Sequence, residues 1–192
     1  MTPHDFQFIA GDLALDFVNT VGDRLGAPNE RLRTSADLTR WARAAGLVAS
    51  RQSVRVGDRG LAALRRAREQ LYGIFRAIAL GGRPSAAHIA ALNGMVARVA
   101  RKHRLVSRRG IIDWEWRAPA HDPAHVLGPV LASACALLVS PASEMIRECE
   151  GEECGWLFLD RSHAGARRWC SMRDCGNRAK ARRHYTRRAR SR

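Results

Sequence analysis

Four cysteines in the last third of the chain have the spacing of a metal site. They follow the pattern Cys149-x4-Cys154-x15-Cys170-x4-Cys175. Two pairs of thiols, joined by a span long enough for a hairpin, suit a zinc ion held tetrahedrally by four thiolates. Because such a closed set leaves no position for a reacting water, the pattern predicts a structural zinc site and not a catalytic one.

Two alternatives to zinc binding stay open at this point: free thiols, and a redox switch that includes release of zinc on oxidation. A reducing compartment favours metal over disulfides for clustered cysteines. The segment between the cysteines is short, and metal binding of roughly 10–16 kcal/mol would supply most of its folding free energy. Trp156, Phe158, Leu159 and Trp169 lie between the cysteines and are predicted to cover the metal. The fifth cysteine, Cys135, lies in an apolar run and is predicted to be a small core residue.

Positive charge is concentrated at the C-terminal end. The whole chain carries 33 Lys and Arg against 18 Asp and Glu, a net charge of +15, and residues 161–192 hold 12 of these cations with one acid. This asymmetry predicts a polyanionic partner for the last third of the chain. The preference for arginine over lysine is what a GC-rich genome would encode anyway, but that bias does not explain the clustering.

After Cys175 the chain has no Gly or Pro from Asn177 onward, which predicts a helix crowded with cations. Ala181, Tyr185 and Ala189 are four residues apart and are expected to form its narrow inner stripe. The alternative is a solvated, frayed basic tail. The predicted nucleic-acid contacts are Arg167, Arg168, Asn177, Arg178, Lys180, Arg182, Arg183, Arg187 and Arg188.

Asn177 and Arg178 have two interpretations each. Asparagine suits adenine and arginine suits guanine, so both are candidates for base edges. Asn177 is also expected to cap the helix, and Arg178 to bind a phosphate or support the metal centre. The capping role is favoured for Asn177.

The rest of the chain is predicted to be mainly α with a small β-hairpin. Helices are expected to begin near Asp12, at Thr34 or Ser35, at Asp58 and at Ser85, and a buried helix covers about residues 123–139. The hairpin falls at residues 104–117, with Arg108-Arg109-Gly110 as its turn. The predicted organisation is a helical N-terminal domain at residues 1–141 for sensing or dimerisation, and a zinc-finger module at residues 142–192 that ends in the basic helix.

The C-terminal motif resembles a known family. The string Arg167-Arg168-Trp169-Cys170-Ser171-Met172, followed by Cys175-Gly176-Asn177-Arg178 and Lys180, is similar to the CGNR zinc finger. The segment Leu13-Ala14-Leu15-Asp16-Phe17-Val18-Asn19-Thr20 is similar to the start of the ABATE domain, which precedes that finger in bacterial proteins described as stress-induced transcription regulators. The resemblance covers nearly the whole chain, and all four cysteines match the ligand positions. It implies the fold and the zinc more directly than DNA binding, which in the family is itself inferred from charge.

These observations predict a cytoplasmic, zinc-containing, DNA-binding regulator of a stress response. The alternatives are an RNA- or ribosome-associated protein and, less favoured, an enzyme or ligand-binding protein with its site in the N-terminal domain. No phosphate-binding loop, nucleophile elbow or carboxylate pair is found, so an enzyme is not expected. The start of the sequence has no signal-peptide pattern, and no apolar run reaches the roughly 18 residues that a membrane span requires. A homodimer and an unidentified small-molecule effector are the further partners that the sequence allows.

Overall fold

The computed structural model describes the backbone of residues 6–190 and the side chains of residues 6–186. The fold is mainly α with small two-stranded hairpins, as the sequence predicts. The described residues form six α-helices: α1 (Leu13–Val18), α2 (Ser35–Ala44), α3 (Asp58–Ala79), α4 (Ala86–Ala100), α5 (Ala124–Leu138) and α6 (Asn177–Arg190). Three antiparallel pairs are formed by β1 (Val21–Gly22) with β2 (Asn29–Glu30), β3 (His103–Arg108) with β4 (Ile111–Trp116), and β5 (Ile146–Glu148) with β6 (Leu157–Leu159).

Short polar side chains fix where the helices begin. The Asp12 carboxylate accepts the Ala14 N–H at 2.8 Å and caps α1. Thr34 and Asp37 form a reciprocal capping box on α2, in which each side chain accepts the other residue's N–H at 3.0–3.1 Å. Ser85 caps α4 through the His88 N–H. The predicted starts of these helices are therefore confirmed.

The predicted hairpin is formed by β3 and β4, in register from His103↔Trp116 to Arg108↔Ile111. Its turn consists of Arg109 and Gly110, both with positive φ, which matches the right-handed twist of the strands. Trp116 at the base of the hairpin lies against Gly128 of α5, where a Cβ would come within 2.4 Å of the indole ring. Glycine is therefore required at this position for the hairpin to pack on α5.

A buried ion-pair cluster attaches β2 to α3. The guanidinium of Arg68, whose residue is 3% exposed, donates to both carboxylate oxygens of Glu30 at 2.6–2.7 Å and to Glu69 at 2.7 Å. Arg68 also donates to the Thr20 hydroxyl. Because a buried cation is tolerated only when it is fully paired, this cluster fixes the position of the β1–β2 hairpin on α3.

One hydrophobic core extends through the helices and into the C-terminal segment. Its largest fully buried side chains include Phe17, Trp41 and Phe75 from the helical part and Phe158 from β6. The core thus crosses Pro141, where the sequence predicts a domain boundary; that boundary stays a prediction. Among the described residues, no helix combines the length and the apolar composition needed to cross a bilayer.

Candidate metal centre and nucleic-acid interface

The sulfurs of Cys149, Cys154, Cys170 and Cys175 converge at one point, and all four lie within 4.8 Å of one another. Cys154 Sγ and Cys175 Sγ are each 3.7 Å from Cys170 Sγ. Four sulfurs bound tetrahedrally at about 2.3 Å from zinc would be about 3.8 Å apart. All four cysteines are buried. They are therefore positioned to bind one metal ion, which is consistent with the structural zinc that their spacing predicts.

Backbone geometry brings the first pair of cysteines together. Cys149 follows β5 and donates its N–H to the Trp156 carbonyl at 2.8 Å, and the Cys154 N–H closes a turn onto Gly151. A Cβ at Gly151 would come within 3.1 Å of both Cys154 Cβ and Cys175 Sγ. Glycine at this position lets the loop between the first two cysteines pass close to the sulfurs.

Backbone N–H groups also point at the sulfurs, as expected around thiolates. Cys149 Sγ accepts hydrogen bonds from the Gly151 N–H at 3.4 Å and from the Cys170 N–H at 3.3 Å. These donors partly neutralise the negative charge that four thiolates bring to a zinc ion.

The second pair of cysteines lies beside the start of α6. Cys175 falls in a π-helical turn, Met172–Gly176, which runs directly into α6. The Ser171 hydroxyl caps this turn by accepting the Asp174 N–H at 3.2 Å. Asn177 has helical φ and ψ inside the continuous helix. The expectation that Asn177 caps the helix is therefore wrong, because the π turn moves the start of the helical segment back to Ser171.

Arg178 supports the metal centre. Its Nη2 lies 3.4 Å from Cys175 Sγ, and its Nη1 lies 3.9 Å from an Asp23 carboxylate oxygen. A guanidinium against a zinc-bound sulfur offsets charge and fixes the first turn of α6 relative to the metal. This contact places Arg178 beside the cysteine cluster, and its predicted contact with nucleic acid stays a prediction.

Hydrogen bonds within the cluster separate the pKa values of the thiols. Bonds with Cys154 and Cys170 lower the pKa of Cys149 to about 7. Bonds with Cys149, Cys154 and Cys170, and more weakly with Arg178, hold the pKa of Cys175 below its usual range. Zinc binds thiolates, so metal binding would remove the protons of all four thiols.

The module is attached to the helical part by side chains that reach across the chain. Asn19 at the end of α1 is 3% exposed, and its amide exchanges two hydrogen bonds with the backbone of Leu157 in β6. Trp156 Nε1 donates to the Val21 carbonyl at 2.7 Å. From the sequence, Asn19 is expected to cap a helix or lie on its surface, and a shared polar pocket with Asp12 and Asp16 is the alternative. The structure places it at the C-terminal end of α1, but its side chain is buried against β6.

Helix α3 braces the other side of the metal loop. The Tyr72 hydroxyl donates to the Gly155 carbonyl at 2.9 Å, and Arg76 Nε binds a Glu148 carboxylate oxygen at 2.9 Å. The loop that contains Asp23 also donates two backbone N–H groups, from Arg24 and Leu25, to residues 153–154. The metal loop is therefore held from two sides, by α3 and by the loop that contains Asp23.

The basic residues of the predicted interface occupy different environments. Arg167 is half-buried: Nε donates to the Trp169 carbonyl at 3.0 Å, and its guanidinium lies 4.3 Å from the centre of the Phe158 ring. Arg168 binds Glu150, and Arg182 binds Glu152. Lys180 and Arg183 are exposed and form no hydrogen bond or ion pair with the described residues.

Residues 181–186 of α6 are all exposed, and Tyr185 is 71% exposed. Ala181 and Tyr185, which were expected on the inner stripe of this helix, are therefore not packed against the rest of the described chain. The reason is that α6 leaves the body of the protein after its first turns. The side chains of Arg187, Arg188 and Ala189 lie outside the described residues, so their predicted roles stay predictions.

Two family models match the chain. The ABATE model, described as "Putative stress-induced transcription regulator", matches residues 11–141, and the CGNR zinc finger model matches residues 145–188. These matches confirm the resemblance seen in the sequence at both ends of the chain. A search of the curated proteins gave no match.

Proposed function

The chain belongs to the ABATE family, and we propose that it is a DNA-binding transcription regulator in which the CGNR zinc finger holds helix α6 against the duplex. The proposal rests on one observation: a cationic helix leaves the protein body directly from a rigid metal centre. The major groove of B-DNA, about 12 Å wide, accommodates an α-helix. Phosphates would relieve the repulsion among the cations of such a helix.

The cations of the module divide into two roles under this proposal. Lys180, Arg182 and Arg183 contact phosphates, and Arg187 and Arg188, whose side chains lie outside the described residues, are predicted to do the same. Arg182 exchanges its Glu152 partner for a phosphate. Arg178 holds α6 on the metal centre, and Arg167 holds the irregular segment that leads to Cys170. Arg168 and Asn177 flank the root of the helix and are available to the duplex.

The test is a binding titration of the full chain, loaded with zinc, against labelled duplex DNA. Arg182→Glu combined with Arg183→Glu is expected to abolish binding at moderate salt, while zinc content and the unfolding transition stay unchanged. The matched control reverses two exposed arginines outside the module, Arg83→Glu and Arg109→Glu, and is expected to lower affinity by less than about threefold. If the α6 variant binds DNA as tightly as the parent, the helix is not the contact surface.

RNA is a second candidate partner because of Tyr185. An exposed aromatic ring among cations can stack on an unpaired base, which duplex DNA does not offer. Competition between duplex DNA and structured RNA decides between them. Tyr185→Ala would weaken RNA binding by about tenfold and duplex binding much less, since base stacking contributes roughly 1–3 kcal/mol.

The same proposal includes the regulated process, the compartment and the oligomeric state. The family description supports regulation of a stress response and a regulatory role in place of catalysis. A four-thiolate site persists best in a reducing compartment, which favours the cytoplasm. A homodimer would present two copies of α6 to successive turns of the duplex, and light scattering of the zinc-loaded protein tests it.

A further inference from the structure

A cavity on the opposite side of α3 from the metal loop is unexplained by nucleic-acid binding. It measures about 700 Å³ and opens between α3, α4 and the start of α5. Its floor is apolar, and Ala67, Met95, Val99 and Ala124 there are each 4–6% exposed. Pockets that bind small molecules typically measure about 300–1,000 Å³ and combine an apolar floor with a few polar groups.

Cations surround the rim of this cavity. Arg66 comes from α3, Arg98 from α4, and Lys102 follows α4. Asp122 is the single carboxylate among the lining residues, and it is already paired with Lys102. Arg66 and Arg98 make no hydrogen bond or ion pair within the part of the chain that the structure describes. The rim therefore offers two guanidinium groups whose charge no described carboxylate neutralises.

Arg98 is placed over the cavity by its own helix. A Cβ built at Gly94, one turn earlier, would be 3.7 Å from Arg98 Nη1, so the guanidinium lies above the glycine. Gly94 itself lines the cavity and leaves its surface open. A planar guanidinium binds a carboxylate through two parallel hydrogen bonds, which suits an anionic group at the rim.

We propose that this cavity binds a small amphipathic carboxylate, with the anionic group between Arg66 and Arg98 and the apolar part on the floor formed by Met95, Val99 and Ala124. The charge of the rim selects against amines, and the apolar floor selects against small inorganic anions. The inference goes beyond the proposed function, because binding of this ligand does not require that α6 bind nucleic acid.

Helix α3 connects the cavity to the metal loop. Gln70 lines the cavity, and Tyr72 and Arg76, within the next two turns of α3, bind the metal loop. A ligand bound here therefore contacts the same helix that braces the zinc finger.

Calorimetric titration of the zinc-loaded full chain with octanoate tests the proposal. Saturable binding with one octanoate per chain is expected. Octanamide and octylammonium have the same chain without the negative charge, and both are expected to bind at least about tenfold more weakly. Arg66→Gln combined with Arg98→Gln is expected to lower octanoate affinity by at least about tenfold. The matched control, Arg83→Gln with Arg109→Gln, removes two exposed cations elsewhere and is expected to leave affinity unchanged.

A second variant fills the cavity and keeps both arginines in the sequence. Gly94→Leu fills the cavity from a helical position that has room for a side chain, so the fold is retained and octanoate binding is lost. Absence of saturable binding, equal binding of octanamide, or wild-type affinity in either cavity variant would overturn the proposal. Because none of these measurements uses DNA, they fail or succeed independently of the proposed function.

Discussion

Asn19 and Leu157, which are 138 positions apart in the sequence, exchange a pair of hydrogen bonds. Asn19 Nδ2 donates to the Leu157 carbonyl at 2.8 Å, and the Leu157 N–H donates to Asn19 Oδ1 at 3.0 Å. The side-chain amide thereby satisfies the backbone of β6 as a neighbouring strand would. Both partners are buried, so neither can exchange this pair for water.

Replacing Asn19 is expected to destabilise the whole fold. Asn19→Ala leaves a buried carbonyl and a buried N–H of Leu157 without partners, which should lower the free energy of unfolding by about 2–4 kcal/mol. Urea denaturation measures this change. Asn93→Ala, at an exposed position in α4, is the control and should change stability by less than about 0.5 kcal/mol. A loss below about 1 kcal/mol for Asn19→Ala would mean that water or a shifted strand replaces the amide.

Removing one sulfur is expected to release the metal. Cys170 Sγ contacts two other sulfurs of the cluster, so Cys170→Ser should reduce bound zinc from one ion per chain to a small fraction and loosen α6 at its root. Elemental analysis and circular dichroism follow the two effects. Cys135→Ser, outside the cluster, should keep one zinc per chain. A full equivalent of tightly bound zinc in Cys170→Ser would contradict the assignment.

The stability should depend on pH through Asp16. Burial raises the pKa of this carboxyl to about 6, and the bonded Ala10 N–H only partly opposes the effect. Because the folded state binds this proton more tightly than the unfolded chain, Asp16 contributes stability at low pH that is lost as the pH rises through 6. Asp16→Asn removes this titration. The free energy of unfolding of the variant minus that of the parent should therefore rise by about 1 kcal/mol from about pH 5 to pH 8.

Urea unfolding of both proteins at the two pH values measures the difference, and the comparison cancels effects that they share. Asp113→Asn, at an exposed position in β4, is the control for the amide substitution itself. A constant difference between Asp16→Asn and the parent would show that the carboxyl is ionised throughout.

Arg167 and Arg183 should affect different properties. The guanidinium of Arg167 binds backbone carbonyls, so Arg167→Gln is expected to lower the free energy of unfolding by about 1–3 kcal/mol. The salt dependence of DNA binding by the Arg167→Gln variant should match that of the parent protein. Arg183→Gln should leave stability unchanged, weaken binding to all sequences alike and reduce the salt slope by about 1. The reverse pattern would assign the phosphate contact to Arg167.

Local features of the fold could be predicted from the sequence because their causes are local. Thr34 with Asp37 marks the start of α2, and the Arg109-Gly110 turn between β-forming runs marks the hairpin. The four cysteines are recognisable because metal coordination restricts both residue type and spacing. For the start of α2 and for the hairpin turn, a window of a few residues contains the whole physical cause.

Long-range contacts could not be predicted in the same way. The role of Asn19 depends on β6, and the role of Arg167 depends on carbonyls that fold near its side chain. The position of Asn177 inside the helix depends on the π turn, whose extra residue per turn has no clear signature in the sequence. The cavity between α3 and α4 arises from how helices pack, and the spacing of Arg66 and Arg98 in the sequence says nothing about it.

The hydrogen bond from the Leu159 N–H to the Ala10 carbonyl, 2.8 Å long, closes a loop that contains most of the polypeptide. Bringing such distant segments together has a large entropic cost that no nearby contact repays, so this closure is expected late in folding. Arg167 links this closing point to the cysteine cluster, because its guanidinium donates to the carbonyls of both Ile9 and Cys170. Removing the metal with a chelator should therefore weaken the packing of α1 as well as that of the zinc finger. A zinc finger transferred to another protein would lose the contacts that it makes with α1.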